Sequence, residues 1–513
     1  MKKRLIAALS LLMLFAFITA AVFGGPVSAS PSPYSTNNTY SGTAPKYVFL
    51  FIGDGMSTPQ INAAQMYMGN RESAGTPGIK TLDFTKFPGV GSADTYDAES
   101  FIPDSASTGT AMASGYKTYG GIINMDPAKK TSYEPISKKL KKAGYKVGIV
   151  TTVTLDHATP AVFYANEASR GNYYNIATQL VKSNFDYFGG GYFLDPDGKK
   201  ASAANAVNIL EQARKNGYRV ATTKNDILAL NNGSGKVLAL DPTAMAASND
   251  SYCYSMPYEL DRKSGQLSLA DFVRKGIEVL DNPKGYFMMV EGGKIDWACH
   301  ANDAAAAIHD TIALNDAVKE ALKVYYQHPS ETLIIVTGDH ETGGMSIGFA
   351  GTEYSTFFEK LEKQSRSYVE FDKLVSEYKE KTKPASAKLE DLLPQIKSSY
   401  GLISATDADA GKNPELVLTD YEMVRLRDAL RKSMSAAKVT STETDYLLYG
   451  TYEPLTVTCN HILDNKAGIN FSTYSHSGLA VPVYAIGPGY QLFYGAYDDT
   501  DINKKLSAIT KVK

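Results

Sequence analysis

Three segments of this chain carry residues that could do chemistry together. In Pro103-Asp104-Ser105-Ala106-Ser107-Thr108-Gly109-Thr110-Ala111, a serine stands at the start of a helix-like run of small residues. The second segment is Val290-Glu291-Gly292-Gly293-Lys294-Ile295-Asp296-Trp297-Ala298-Cys299-His300, and the third is Thr337-Gly338-Asp339-His340-Glu341. Asp54, in Gly53-Asp54-Gly55, follows a further apolar run. Mixed imidazole and carboxylate sets suit zinc, and all-oxygen sets suit magnesium. A serine hydroxyl is a weak nucleophile until a base or a cation activates it. The combination suits metal-assisted transfer at phosphorus, where two cations roughly 3.5–4 Å apart hold the attacking and leaving oxygens.

Taken singly, each residue has a plain structural explanation. Asp54 could form a turn, Asp339 could cap a helix, and Ser105 could be an N-cap. Their placement along the chain argues otherwise. Tyr47-Val48-Phe49-Leu50-Phe51-Ile52 is a continuous apolar run, the signature of a central strand buried on both faces. Comparable strands are expected at Tyr145–Thr151, Gly285–Val290, Thr332–Thr337 and Val481–Ile486. A helix is expected from about Pro59. Another should span Pro135–Ala143, with proline in its first turn and Gly144 as its stop. A long helix with apolar positions at Ile308, Ile312, Val318, Leu322 and Tyr325 should join the strands at 285 and 332. Alternation of this kind implies an α/β fold with a mostly parallel central sheet sandwiched by helices. In such sheets ligands bind beyond the carboxyl ends of the strands. Asp54, Glu291 with Asp296, and Asp339 with His340 each follow a strand, so they are expected to converge.

On these motifs the chain resembles the alkaline phosphatases over nearly all of residues 46–490. The resemblance implies a phosphomonoesterase and assigns roles position by position. One zinc ion would be held by Asp296, His300 and His476, the last within Tyr474-Ser475-His476-Ser477-Gly478. A second would be held by Asp54, Asp339 and His340, beside Ser105 as the nucleophile that forms a phosphoserine. A magnesium ion would sit on Asp54, Glu291 and Thr159. Arg170, eleven positions after Thr159, would clamp the phosphate through its planar fork. His157 and Trp297 stand where some bacterial members carry Asp and Lys. This departure leaves the third metal's identity open and removes a water-mediated lysine contact to phosphate. With Arg170, His157 and Trp297 are read as near-site residues that face the substrate phosphate. His309, His328 and His461 match no site position and are read as structural or solvent-exposed.

Competing classes are less well served. A sulfatase needs a Cys/Ser-x-Pro-x-Arg segment, whereas Ser105 is followed by Ala106-Ser107. A phosphodiesterase of the same superfamily is the main alternative. It normally lacks the third metal, to which Glu291 and Thr159 point. A non-catalytic phosphate- or metal-binding protein should show damage among these residues, and none is seen.

Composition sets the remaining bounds. The chain has 513 residues and a formal net charge of −2, enough for one large domain or two. It lacks the basic excess of a polyanion binder, so no specific nucleic-acid partner is expected, and substrates should be small phosphate monoesters. Residues 1–29 read as a signal peptide. A basic start (Lys2, Lys3, Arg4) is followed by an apolar run and a cleavage site after Val27-Ser28-Ala29, implying secretion or periplasmic export. No later segment is apolar and long enough to span a membrane. Residues 30–45 read as a flexible linker and 46–513 as the catalytic domain. Residues about 351–450 break the alternation and read as a helical and irregular insertion over or beside the site. Three cysteines exclude a disulfide scaffold and allow at most one bridge, with Cys299 read as a buried filler. A homodimer is expected by analogy alone.

Overall fold

The computed structural model describes residue 34 and residues 38–513 apart from 74–75, 204, 248–252 and 436–438. The expected export segment, 1–29, lies outside them. The strands are β1 (Tyr47–Gly53), β2 (Gly89–Asp94), β3 (Lys146–Thr151), β4 (Tyr187–Gly190), β5 (Tyr218–Ala221), β6 (Lys236–Leu240), β7 (Tyr286–Gly292), β8 (Thr332–Gly338), β9 (Glu341–Thr342), β10 (Ser346–Ile347), β11 (Ile469–Asn470), β12 (His476–Ser477), β13 (Val481–Ile486) and β14 (Gly495–Asp498).

Ten of them form one sheet in the order β14-β2-β13-β8-β1-β7-β3-β4-β6-β5. All pairings are parallel except those of β13, which runs antiparallel to both β2 and β8. The expected α/β sandwich is therefore what forms, with one reversed strand near an edge. The apolar run of β1 explains its central place. Phe49 and Phe51 enter the core on one face of the sheet, while Val48, Leu50 and Ile52 enter the core on the other. Side chains alternate across a strand, so a strand covered on both faces must be apolar throughout. Each such side chain contributes roughly 1.5–3 kcal/mol on burial.

Register brings the chemistry together. Gly53 pairs with Gly292 on one side and with Gly338 on the other, and Thr151 pairs with Glu291. Four adjacent strands thus end level, so Asp54, Glu291 and Asp339 emerge along one edge. The glycine that ends β8 is required by packing. A Cβ on Gly338 would lie 1.9 Å from the Met56 carbonyl oxygen, where the chain leaving β1 crosses the neighbouring strand.

Element boundaries differ from expectation in small, explicable ways. The helix expected from Pro135 runs Ile136–Lys142, because Pro135 is its N-cap in extended geometry. Tyr145 stays outside β3, its buried hydroxyl donating to the Pro45 carbonyl at 2.7 Å. Within the expected insertion, the helix Asp420–Ser433 is started by the reciprocal cap Thr419/Glu422. Between 357 and 363 the chain forms a 3-10 helix, Phe358–Lys363. Tyr368–Lys381 is helical, and its N-terminus is tied to the core by the Tyr368 amide donating to Asp303 at 2.8 Å. Cys299 and Cys459 are buried free thiols. Among the described residues no helix is long and apolar enough to cross a membrane.

Candidate active site

Ser105 is the first residue of the helix Ser105–Ser114, and the cap is Asp104, whose carboxylate accepts from the Ser107 amide at 3.0 Å. The plain explanation of Ser105 as an N-cap therefore falls. The neighbouring aspartate satisfies the helix end and leaves the Ser105 hydroxyl free for other work. Ser105 Oγ lies 3.2 Å from His340 Nε2. The other Asp104 oxygen accepts from Arg170 Nη1 at 2.8 Å and from the Gly121 amide at 3.0 Å. Asp104, given no role from sequence, thus fixes the arginine beside the helix N-terminus. That terminus, with its free N–H groups and a guanidinium, suits an anion.

The acids and imidazoles converge as expected. Among the described residues, three groups bring ligand atoms close enough for one cation each: Asp296, His340 and His476; Asp54, Asp339 and His340; and Asp54, His157 and Glu291. His300 adjoins the first group, its Nε2 lying 3.3 Å from Asp296 Oδ1 and 3.2 Å from His476 Nε2. Thr159 adjoins the third, donating to Asp54 Oδ2 at 3.0 Å. His157, expected near the phosphate, also sits among the third group's acids. Its Nε2 lies 3.3 Å from Arg170, and its ring meets Trp297 edge-on at 5.7 Å. Trp297 also lies 4.8 Å from the buried Lys294 ammonium, which reaches Ser255 at 2.9 Å.

Local structure aims these groups inward. Asp296 and His300 are four apart on the helix Lys294–His300 and share a face. His476 is placed by β12, which pairs with β9 so that His476 lies opposite Thr342. His300 Nδ1 faces the Tyr474 carbonyl and His476 Nδ1 the Pro103 carbonyl, each at 2.6 Å. A protonated Nδ1 on each ring satisfies those carbonyls and leaves a lone pair on Nε2, the tautomer a metal ligand needs.

The electrostatics fit a site built for cations. Asp54, Glu291, Asp296 and Asp339 are all nearly inaccessible to solvent. Burial and repulsion from Asp339 push Asp54 far above the usual carboxylate range. Burial raises Glu291 to about 7 and, with repulsion from Asp296 and Glu291, Asp339 to about 8. Burial opposes charge on Asp296 too, but the imidazoles of His300, His476 and His340 hold it well below the usual range. Burial opposes a charged His300, yet Asp296 holds that ring up at about 9, so a cation arriving there displaces a proton. Burial and Arg170 keep His157 neutral, down at about 3. Asp54 Oδ1, Glu291 Oε1 and His157 Nδ1 are buried without a hydrogen-bond partner. Buried oxygens and a ring nitrogen without hydrogen-bond partners are unfavourable unless a cation meets them, so the residues fit metals.

Several supporting residues were not anticipated. Thr151 donates to Glu291, and Thr108 lies 3.4 Å from Asp339 Oδ2. Glu341 accepts from Gln60 at 2.8 Å and from Ser477, tying β12 to the site. Hydroxyls and amides of this kind are common in any sequence, and only the fold brings them to the ligands. Cys299 joins none of the ligand groups; it is buried, and its sulfur lies 3.7 Å from Gln60 Nε2. His309 and His461 are also structural, paired with Tyr67 at 3.3 Å and Asn302 at 2.9 Å.

A buried serine at a helix N-terminus, an arginine fork and three carboxylate-imidazole groups at a parallel sheet's edge define a metal-dependent phosphoryl-transfer hydrolase. A family model described as alkaline phosphatase matches residues 45–512. The chain is similar to alkaline phosphatase 4 of Bacillus subtilis, with 29% identity over 98% of this chain and 95% of that one. Among solved structures, it is similar to the cold-active alkaline phosphatase of the psychrophile Shewanella sp., with 27% identity and a TM-score of 0.70 over 90% of this chain and 99% of the other. It shares the fold of the Thermus thermophilus alkaline phosphatase, with 23% identity and a TM-score of 0.72 over 93% of each chain. The chain belongs to the alkaline phosphatase family, and it is an enzyme that hydrolyses phosphate monoesters.

Proposed function

We propose that Ser105 is the nucleophile of this phosphomonoesterase and is transiently phosphorylated. In this reading Asp296, His300 and His476 hold one zinc ion, and Asp54, Asp339 and His340 hold a second. Asp54 and Glu291, with Thr159 or His157, hold a third ion, magnesium by its oxygen-rich donors. Bound cations would neutralise charge on the attacking and leaving oxygens. The observation that carries the reading is Ser105 Oγ, 3.2 Å from His340 Nε2, at the junction of a helix N-terminus and the second group.

The protein's own groups do the rest. Asp104 and His157 hold the guanidinium of Arg170, whose fork binds the nonbridging phosphate oxygens. The helix start adds backbone N–H donors to the same oxygens. Because recognition is directed at the phosphate, the leaving group remains free to vary, and broad use of small monoesters follows. The N-terminal sequence pattern supports export before the enzyme acts.

The discriminating experiment is phosphate release by zinc- and magnesium-loaded protein from an aryl monoester and from the matching diester. Monoester turnover exceeding diester turnover by about 10³-fold or more is expected. The reverse preference would move the assignment to a diesterase. Arg170→Lys keeps the charge but loses the fork, so KM for the monoester should rise about 10-fold or more while kcat changes less. An unchanged KM would remove Arg170 from the phosphate.

A further inference from the structure

His300 and His476 owe their ring orientation to backbone carbonyls, which no substitution of a side chain removes. His340 is different. Its Nδ1 lies 3.3 Å from the hydroxyl of Thr342, a fully buried residue. The same hydroxyl donates to Asp296 Oδ1 at 2.5 Å. A threonine hydroxyl has one proton to give. With that proton on Asp296, the oxygen faces His340 as an acceptor. The favoured imidazole then carries its proton on Nδ1 and its lone pair on Nε2. That nitrogen lies 3.2 Å from Ser105 Oγ, 3.3 Å from Asp339 Oδ2 and 3.5 Å from Asp54 Oδ1.

Thr342 is firmly held where it stands. Its amide donates to the Gly55 carbonyl at 3.2 Å, and across the β9/β12 ribbon it faces His476. Gly55 adopts a positive φ of 71°, and a Cβ there would lie 2.7 Å from Thr342 Oγ1. The turn after β1 is thus shaped to leave room for this hydroxyl. One side chain touches Asp296 of the first ligand group and His340 of the second.

We infer that Thr342 is a positioning residue shared by both candidate zinc groups. Its hydroxyl fixes the Asp296 carboxylate and sets the tautomer of His340. The inference rests on the reading of these two groups as zinc centres. Partners one step removed from a metal typically change affinity by about 10–100-fold when lost. Thr342→Val keeps the branched shape and loses the hydroxyl, whereas Thr342→Ser keeps the hydroxyl and loses only the methyl.

The test titrates zinc into metal-stripped full-length protein against a competing chelator and measures bound zinc per chain. Thr342→Val is expected to weaken both zinc sites by about 10–100-fold, and Thr342→Ser to stay within about 3-fold of wild type. Wild-type affinity in Thr342→Val would overturn the inference, as would loss at one site alone or an equal loss in Thr342→Ser. If Thr342→Val does not fold, heteronuclear NMR of the imidazole nitrogens in metal-stripped wild type decides. A protonated His340 Nδ1 supports the inference, and a protonated Nε2 overturns it. Failure of wild type to bind zinc would instead refute the reading of the ligand groups.

Discussion

Ser105→Ala is expected to lower phosphate release from an aryl monoester by about 10⁴-fold or more, while metal content stays near that of wild type. Removing a nucleophile eliminates the covalent route outright, and losses of this scale are usual when such a residue acts with its partners as a unit. The helix start does not depend on the hydroxyl, because Asp104 is the cap. The buried ligands make most of their contacts elsewhere, His340 to Thr342 and Asp339 to the amides of Gly55 and His340. Steady-state kinetics with elemental analysis separates the two readouts. Activity within about 10-fold of wild type would mean that water attacks directly and that Ser105 only positions the phosphate.

Asp54→Asn is expected to lower kcat/KM by about 10³-fold or more and to leave the chain short of metal. Asp54 is the acid common to two of the three ligand groups, and its Oδ1 is buried without a hydrogen-bond partner. Asparagine keeps the shape but cancels the charge, and loss of one principal electrostatic contributor is worth about 10²–10³ in rate before any metal departs. Excess zinc and magnesium should restore chelator-stripped wild type fully and Asp54→Asn little. Full metal occupancy in this variant would contradict the sharing of Asp54.

The same acids make metal dependence visible in stability. Without cations, burial and repulsion hold Glu291 up at about 7 and Asp339 at about 8, above the unfolded values of about 4. The unfolded chain therefore releases these protons at lower pH than the folded chain does. Their contribution to metal-free stability is present below about pH 4 and is lost as pH rises through about 8. Metal binding needs the ionised forms and gains over the same range. The difference in Tm between loaded and stripped protein should widen from about pH 5 to about pH 8. A constant difference would show that these carboxylates do not hold the metals.

Much of this site was legible before any fold was known, because its main groups sit directly after apolar strands. Asp54, Glu291 and Asp339 could be placed on one edge because each follows a strand, and the level ends of β1, β7 and β8 bear that out. Less legible were contacts made by residues of common type. Thr342, Asp104 and Thr151 carry no motif of their own, and each acts through hydrogen bonds that depend on tertiary register. The reversed strand β13 was also hidden, since an apolar run does not disclose its direction. The sharing of His340 was hidden for another reason. The resemblance places His340 with one ion, whereas the compact cluster brings it within reach of two groups.

The most direct test of the central reading is to mix metal-loaded enzyme with an aryl phosphate, quench in acid during turnover and map the phosphoryl group by peptide mass spectrometry. A phosphoryl group on the Ser105 peptide of wild type, absent from Ser105→Ala, is the predicted result. Rapid turnover with Ser105 unmodified under the same quench would contradict the covalent route and with it the assigned role of Ser105.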